Sequence, residues 1–175
     1  MKRNTNFADL PEATRETVAE NMKERIYSTI TLLAVLATMW QHAQHHSHRG
    51  AIVSIIGAAV AVWLATLIAT RMSYRAVHGK PIDRHDYVKT FFTTSGLLAP
   101  AIPPIFFVLV SAITGWYDLQ AALLVSIIVS LLSLFGLSFA ASRKIYTSVW
   151  RQLLVSSLEL SVGASIIVLK LAVGE

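Results

Sequence analysis

The 175-residue chain contains no cysteine, which excludes disulfides, thiolate metal sites and a cysteine nucleophile. Charge is scarce: 14% of residues are Asp, Glu, Lys or Arg, against about 25% in a soluble domain. With 54% hydrophobic residues and a mean hydropathy of +0.57, that deficit excludes both a water-soluble globule and a disordered chain. Catalytic signatures are missing as well. There is no P-loop, no HExxH, no GxSxG and no pair of carboxylates on one apolar run, so the chain is not read as an enzyme.

What is present is a series of long uncharged runs. Gly50–Thr70 has 21 residues, Thr90–Tyr117 has 28, Leu119–Ser142 has 24, and Gln152–Leu169 has 18, interrupted only by Glu159. A helix crossing a bilayer core needs about 20 apolar residues. A shorter run, Ile26–Gln41, precedes them. No run alternates as a membrane barrel strand would. The reading is all-α: a polytopic integral membrane protein of five transmembrane helices. The spans are expected at about 26–43, 50–70, 91–113, 119–141 and 150–171, forming one domain over 26–175. Residues 1–25 form a charged tail and amphipathic helix, with Asp9 as N-cap and Pro11 in its first turn. They lack the apolar core of a signal peptide, so the first span is expected to act as an uncleaved anchor.

Lys and Arg fix an orientation. The N-terminal segment and the loop 71–89 carry five each and the loop around Arg143 carries three, whereas the intervening loops and the C-terminal end carry one, none and one. Thirteen against two on alternate sides places the N-terminus inside and the C-terminus outside. The formal charge of +5 and pI near 9.7 suit loops beside anionic lipid and require no nucleic acid. The expected partners are the lipid bilayer and a homo-oligomer or larger membrane complex, and the expected location is the bacterial inner (plasma) membrane.

Three groups of residues carry candidate chemistry. Glu159 is the one acid well inside a span, where an unpaired carboxylate costs several kcal/mol and acids mark proton or ion sites. Ser156 and Gly163 share its helical face. Pro100, Pro103 and Pro104, in LLAPAIPPIFF, remove amide donors at mid-span and predict a kink or break whose freed carbonyls suit an ion path. In QHAQHHSHRG, His42, His45 and His46 stand at i, i+3 and i+4 with His48 nearby. Neutral imidazoles in that pattern suit a divalent transition metal, the candidate cofactor. They also suit a pH sensor or a plain polar loop. HGKPIDRHD reads as a solvated turn built on Gly79 and Pro81. Small-residue stripes, Ser54-Ala58-Ala61-Ala65, Ser126-Ser130-Ser133 and Ser157-Ser161-Ser165, are expected to let helices pack closely.

Over residues 22–172 the chain resembles the vacuolar iron transporter family. The resemblance is carried by Glu24-Arg25-Ile26-Tyr27-Ser28-Thr29 opening span one and by Arg71-Met72-Ser73-Tyr74 ending span two. The leucine-proline character of span three and a last pair of spans joined by Ser142-Arg143-Lys144 and closing around Gly163 complete it. It implies a five-helix fold, a homodimer and iron or manganese transport, with Glu24 standing in for a family Asp. Span two has no acid, and the loop 73–89 has no Glu where the family carries a glutamate-rich insert. The functional expectation is a small transport protein, with a proton-coupled divalent cation as substrate; the alternative is a non-transporting accessory or scaffold subunit.

Overall fold

The structure, a computed structural model, describes residues 12–142 and 148–173. Asp9, Pro11, Arg143 and Lys144 lie outside the described residues. Among the described residues six α-helices run in chain order: α1 (Glu12–Gln41), α2 (His48–His78), α3 (Arg84–Thr94), α4 (Ile102–Thr114), α5 (Leu119–Ser142) and α6 (Val149–Val173). A 3₁₀ segment, Ser95–Ala101, joins α3 to α4, so these three pieces form one broken rod and the architecture has five rods. The charged N-terminal helix continues directly into the first expected span as one helix, α1.

Four of the rods are long and apolar enough to cross a membrane: His48–His78, Thr90–Thr114, Leu119–Ala140 and Val149–Leu169. α1 is not among them, yet it holds the centre. Leu33, Leu36 and Ala37 are fully buried, and α1 packs against α2, α5, α6 and the 3₁₀ segment. Around it the order is α2, α4, α5, α6. The core joins Leu32, Leu36 and Met39 of α1 to Ile55 of α2, Val108 of α4 and Leu123 of α5. A helix enclosed by other helices can carry hydroxyls that a lipid-facing one would not, and α1 buries Ser28 and Thr29. Thr29 and Thr38 return their hydroxyls to carbonyls four residues back, Arg25 and Ala34, which satisfies them without a partner helix.

The outward surface is apolar. Val53, Ile68, Phe92, Ile113, Leu132 and Val168 are all at least 60% exposed. A shell of that kind is unstable in water and is covered by hydrocarbon. Aromatic side chains with polar edges mark the ends of the rods: Trp116 beyond α4 and Trp150 at the start of α6 are both well exposed, as at membrane interfaces.

Two helices end on glycine, of which Gly79 is the one the sequence marks as a turn residue. Gly79 ends α2 with φ 63°, and its N–H donates to the Arg75 carbonyl. Gly115 ends α4 in the same left-handed conformation, closing onto Ser111.

Candidate functional site

The expected break in span three is real, and it begins earlier than the prolines. The α-helix stops at Thr94 and the chain winds tighter through Ser95–Ala101. The reason lies in the direction of the hydrogen bonds. A proline removes a donor for the carbonyl three or four residues before it, so the damage appears upstream. In the i→i+3 pattern of the 3₁₀ segment, the Leu97 carbonyl should accept from residue 100, which is proline. Ser28 of α1 supplies the missing donor: its hydroxyl, 3% exposed, donates to the Leu97 carbonyl at 2.9 Å. The Pro100 carbonyl meets proline at both i+3 and i+4, positions 103 and 104, and has no intrahelical donor in either pattern. Pro104 is buried and Pro103 half-buried. The break is therefore pinned to α1 rather than left to solvent.

A second polar feature runs between α5 and α6. Ser126, Ser130, Ser138 and Ser142 are all buried on α5, but at 3.6 residues per turn Ser126 stands well round the helix from Ser138, and its hydroxyl returns to the Ala122 carbonyl of its own helix. On α6, Gln152 and Ser156 are buried. The Ser138 hydroxyl donates to Ser156 Oγ at 3.2 Å, joining the two helices. Farther along α6, Gly163 is buried, and a Cβ there would meet Leu134 Cδ2 at 3.0 Å. Position 159 falls between Ser156 and Gly163 on this stripe by helical register. The Glu159 side chain itself lies outside the described residues. The neighbours that sequence reasoning named for it, Ser156 and Gly163, both turn to α5.

The histidines do not share a helical face. α1 ends at Gln41 and a 3₁₀ turn follows at Ala43–His45, so His42, His45 and His46 lie on different local structures, with His46 extended. No glycine or proline marks that stop in the sequence. His42 Nδ1 lies 3.1 Å from the Thr38 carbonyl. A carbonyl only accepts, so Nδ1 carries the proton and Nε2 is left to bind. His48 is the first residue of α2, and its Nε2 lies 3.0 Å from Ser111 Oγ. Ser111 has one hydroxyl proton, which goes to the Tyr117 carbonyl at 2.7 Å. His48 must therefore be the donor, protonated at Nε2, with Nδ1 available. The Tyr117 hydroxyl donates to the Phe107 carbonyl at 3.0 Å, completing a polar clasp at this end of the bundle. Among the described residues no three His, Asp or Glu side chains are grouped to hold a metal ion.

Glu24 stands on α1 just before the apolar run, half-buried. Burial, and next the negative charge of Glu20, push its carboxyl above the usual value, with Lys23 acting in the opposite direction.

Sequence reasoning missed Ser28, Ser111 and the Ser138–Ser156 pair. Ser111 was findable as the lone hydroxyl in PPIFFVLVSAI. Steps of four from Ser126 reach Ser138 and Ser142, whereas Ser133, grouped with them by spacing, is exposed. Of the expected tight-packing stripe Ser54-Ala58-Ala61-Ala65, Ala58 is half-buried against the core while Ser54, Ala61 and Ala65 are exposed, and Ser157-Ser161-Ser165 are exposed throughout. Trp63 of α2 adds a further polar atom: its Nε1 is buried with no hydrogen-bond partner, and its ring meets Phe91 edge-on at 4.9 Å.

Compared with known proteins, the chain matches no family model, no curated protein and no solved structure. What stands is a polytopic helical bundle of membrane type; no homology supports the vacuolar iron transporter resemblance.

Proposed function

We propose that the chain is a small membrane transport protein that moves a divalent cation against protons, without enzymatic activity, in a bacterial inner membrane with its N-terminus inside. The observation that carries this reading is the buried Ser138–Ser156 hydroxyl pair between α5 and α6. Buried polar side chains are costly among lipid-facing helices unless they serve one another or a passing solute. In the Ser138–Ser156 bond Ser156 is the acceptor, so its own proton is directed elsewhere. The register position on the same face one turn on is that of Glu159. In this reading Glu159 exchanges a proton for the cation, and the Ser138 and Ser156 oxygens replace part of the ion's hydration shell; the Pro100 carbonyl, in the segment packed against α1 and α2, is a separate stop on the path. The His42, His45, His46 and His48 region is the outer capture point, with Nε2 of His42 and Nδ1 of His48 the ligating atoms. Glu24 is the inner acid.

The test is flux of Fe²⁺, Mn²⁺ and H⁺ into proteoliposomes, wild type against Glu159→Gln. Expected is metal uptake coupled to proton movement in the wild type, and loss of coupling with retained fold in the variant. Uptake unchanged by Glu159→Gln would refute the role of that residue.

A second reading rests on a different observation. On α2, Ser54, Gly57, Ala61 and Ala65 are exposed, and a Cβ at Gly57 would meet nothing within 4 Å. Small residues four apart suit close approach of another helix. Under this reading the chain is an accessory subunit or a homodimer. Gly57→Leu would then leave the monomer fold intact and abolish assembly. Assembly unaffected by that substitution would remove the reading.

A further inference from the structure

The α2–α3 connection holds a cleft that neither reading uses. Arg71, Pro81, Ile82, Arg84 and Tyr87 line a cavity of about 420 Å³. A neighbouring cavity of about 370 Å³ shares Pro81 and adds Arg75, Gly79 and Lys80. Four cations thus surround one turn, and no ion pair joins any of them to a carboxylate among the described residues. Two acids belong to the same loop. Asp83 is exposed and makes no capping bond to α3, and the Asp86 side chain lies outside the described residues.

The depth of the cleft follows from helix length. Arg71 is 23 residues beyond His48 on α2, about 35 Å along the axis at 1.5 Å per residue. A hydrocarbon core is about 30 Å thick, so the cleft sits at headgroup level. Below it, the exposed side chains of Ile68 and Met72 on α2 and of Val88 and Phe92 on α3 are apolar. A ligand held here meets arginine and tyrosine donors at one end and hydrocarbon-compatible surface at the other.

We propose that this cleft binds the phosphate group of an anionic phospholipid. Arg71 and Arg84 supply the planar forks that match phosphate oxygens, and Tyr87 supplies a hydroxyl donor. Pro81 and Ile82 wall the glycerol, and the acyl chains lie along Ile68, Met72 and Phe92. Basic pockets at the ends of membrane helices recognise acidic headgroups by this combination.

The experiment uses the full chain, purified in neutral detergent, with its melting temperature followed as lipid is added. Phosphatidylglycerol is expected to raise the midpoint saturably, and phosphatidylcholine is expected not to. In Arg71→Gln/Arg84→Gln the half-saturating concentration should rise about tenfold or more, since each cation at an anionic surface contributes about fivefold. Arg49→Gln, an exposed cation at the other end of α2, should respond as wild type. If the double Gln variant does not fold, Arg71→Lys/Arg84→Lys replaces it, and loss of the fork should weaken binding severalfold. Equal responses to the two lipids, or identical responses of wild type and the cleft variants, would overturn the proposal. Inorganic phosphate is the third arm. If it alone reproduces the saturable shift and the cleft variants abolish it, the ligand is a soluble phosphate and the lipid assignment fails.

Discussion

The bond from Ser28 to the broken segment allows a quantitative forecast. Ser28→Ala removes the donor that replaces the missing Pro100 amide, leaving the Leu97 carbonyl buried beside α1. A buried polar group stripped of its partner costs about 1–3 kcal/mol. Hydrogen bonds between membrane helices average about 0.6 and reach about 1.7 kcal/mol. Because no backbone donor stands in reserve at position 100, a loss near the top of that range, about 1.5 kcal/mol, is expected. Thr29→Val is the control. Thr29 is equally buried at 3%, but its hydroxyl serves its own helix at Arg25, so its removal should be close to neutral. The decisive measurement is a double-mutant cycle with Pro100→Ala, which restores an N–H three residues after Leu97. In that background the cost of Ser28→Ala should shrink, giving a coupling of about 0.6–1.7 kcal/mol. Unfolding in mixed micelles titrated with SDS, read by circular dichroism, gives all four values. Equal costs of Ser28→Ala in the wild-type and Pro100→Ala backgrounds would refute the argument that the proline creates the need for Ser28.

Further outcomes follow from other contacts. Gly163→Leu should destabilise by about 1–3 kcal/mol through overpacking, because Leu134 and Leu131 already approach a Cβ at 3.0 and 3.6 Å; the same unfolding assay reads it, and a neutral result would mean that α5 and α6 pack less closely. Ser111→Ala breaks the contacts to both His48 and Tyr117 and should cost about 1–3 kcal/mol, with exposure of the α2 start to hydrogen exchange; unchanged exchange there would show that the clasp holds nothing. Glu24 is held above its usual value, so the folded state binds its proton more tightly than the unfolded state. Its contribution to stability therefore falls as pH rises from the unfolded carboxyl value through the folded one. Glu24→Gln should raise the melting midpoint at pH 7 and leave it unchanged at pH 4. A gain of equal size at both values would exclude the charge as the cause.

The apolar rods were legible because membrane crossing imposes length and low charge together, and expected spans at 119–141 and 150–171 lie within a few residues of α5 and α6. The second helix outlasts the uncharged run of its span. Thr70 is the last uncharged residue, but α2 continues to His78, since charged side chains outside the hydrocarbon do not stop a helix that Gly79 stops. The prolines announced the break but not its upstream start, which depends on which carbonyls lose donors. The histidine face failed because i, i+3 spacing describes a helix only while the helix lasts. The serine stripes show the limit of periodicity: steps of four place Ser157, Ser161 and Ser165 on one face, yet nothing in the spacing says whether that face meets α5 or lipid. Glu159 stood out by being charged in an uncharged run, whereas Ser28 could not, since its importance lies in a proline 72 positions away.

The modest hydropathy of the central helix has a consequence for how the chain enters a membrane. Among the described helices α1 leaves the ribosome before the others, yet it is not among the four with the apolarity of a crossing segment, while α2 has the highest mean hydropathy at 2.5. Insertion is decided by apolarity as each segment emerges, and flanking arginines then hold the orientation. α2, with Arg71 and Arg75 behind it, is thus the segment that commits the chain to the bilayer. α1 becomes secure only when α5 and α6 have arrived to enclose Leu33, Leu36 and Ala37. The fold is consequently completed from its far end. A nascent chain stopped before α5 holds its future centre at the surface of the assembly, available to whatever else in the membrane can cover it.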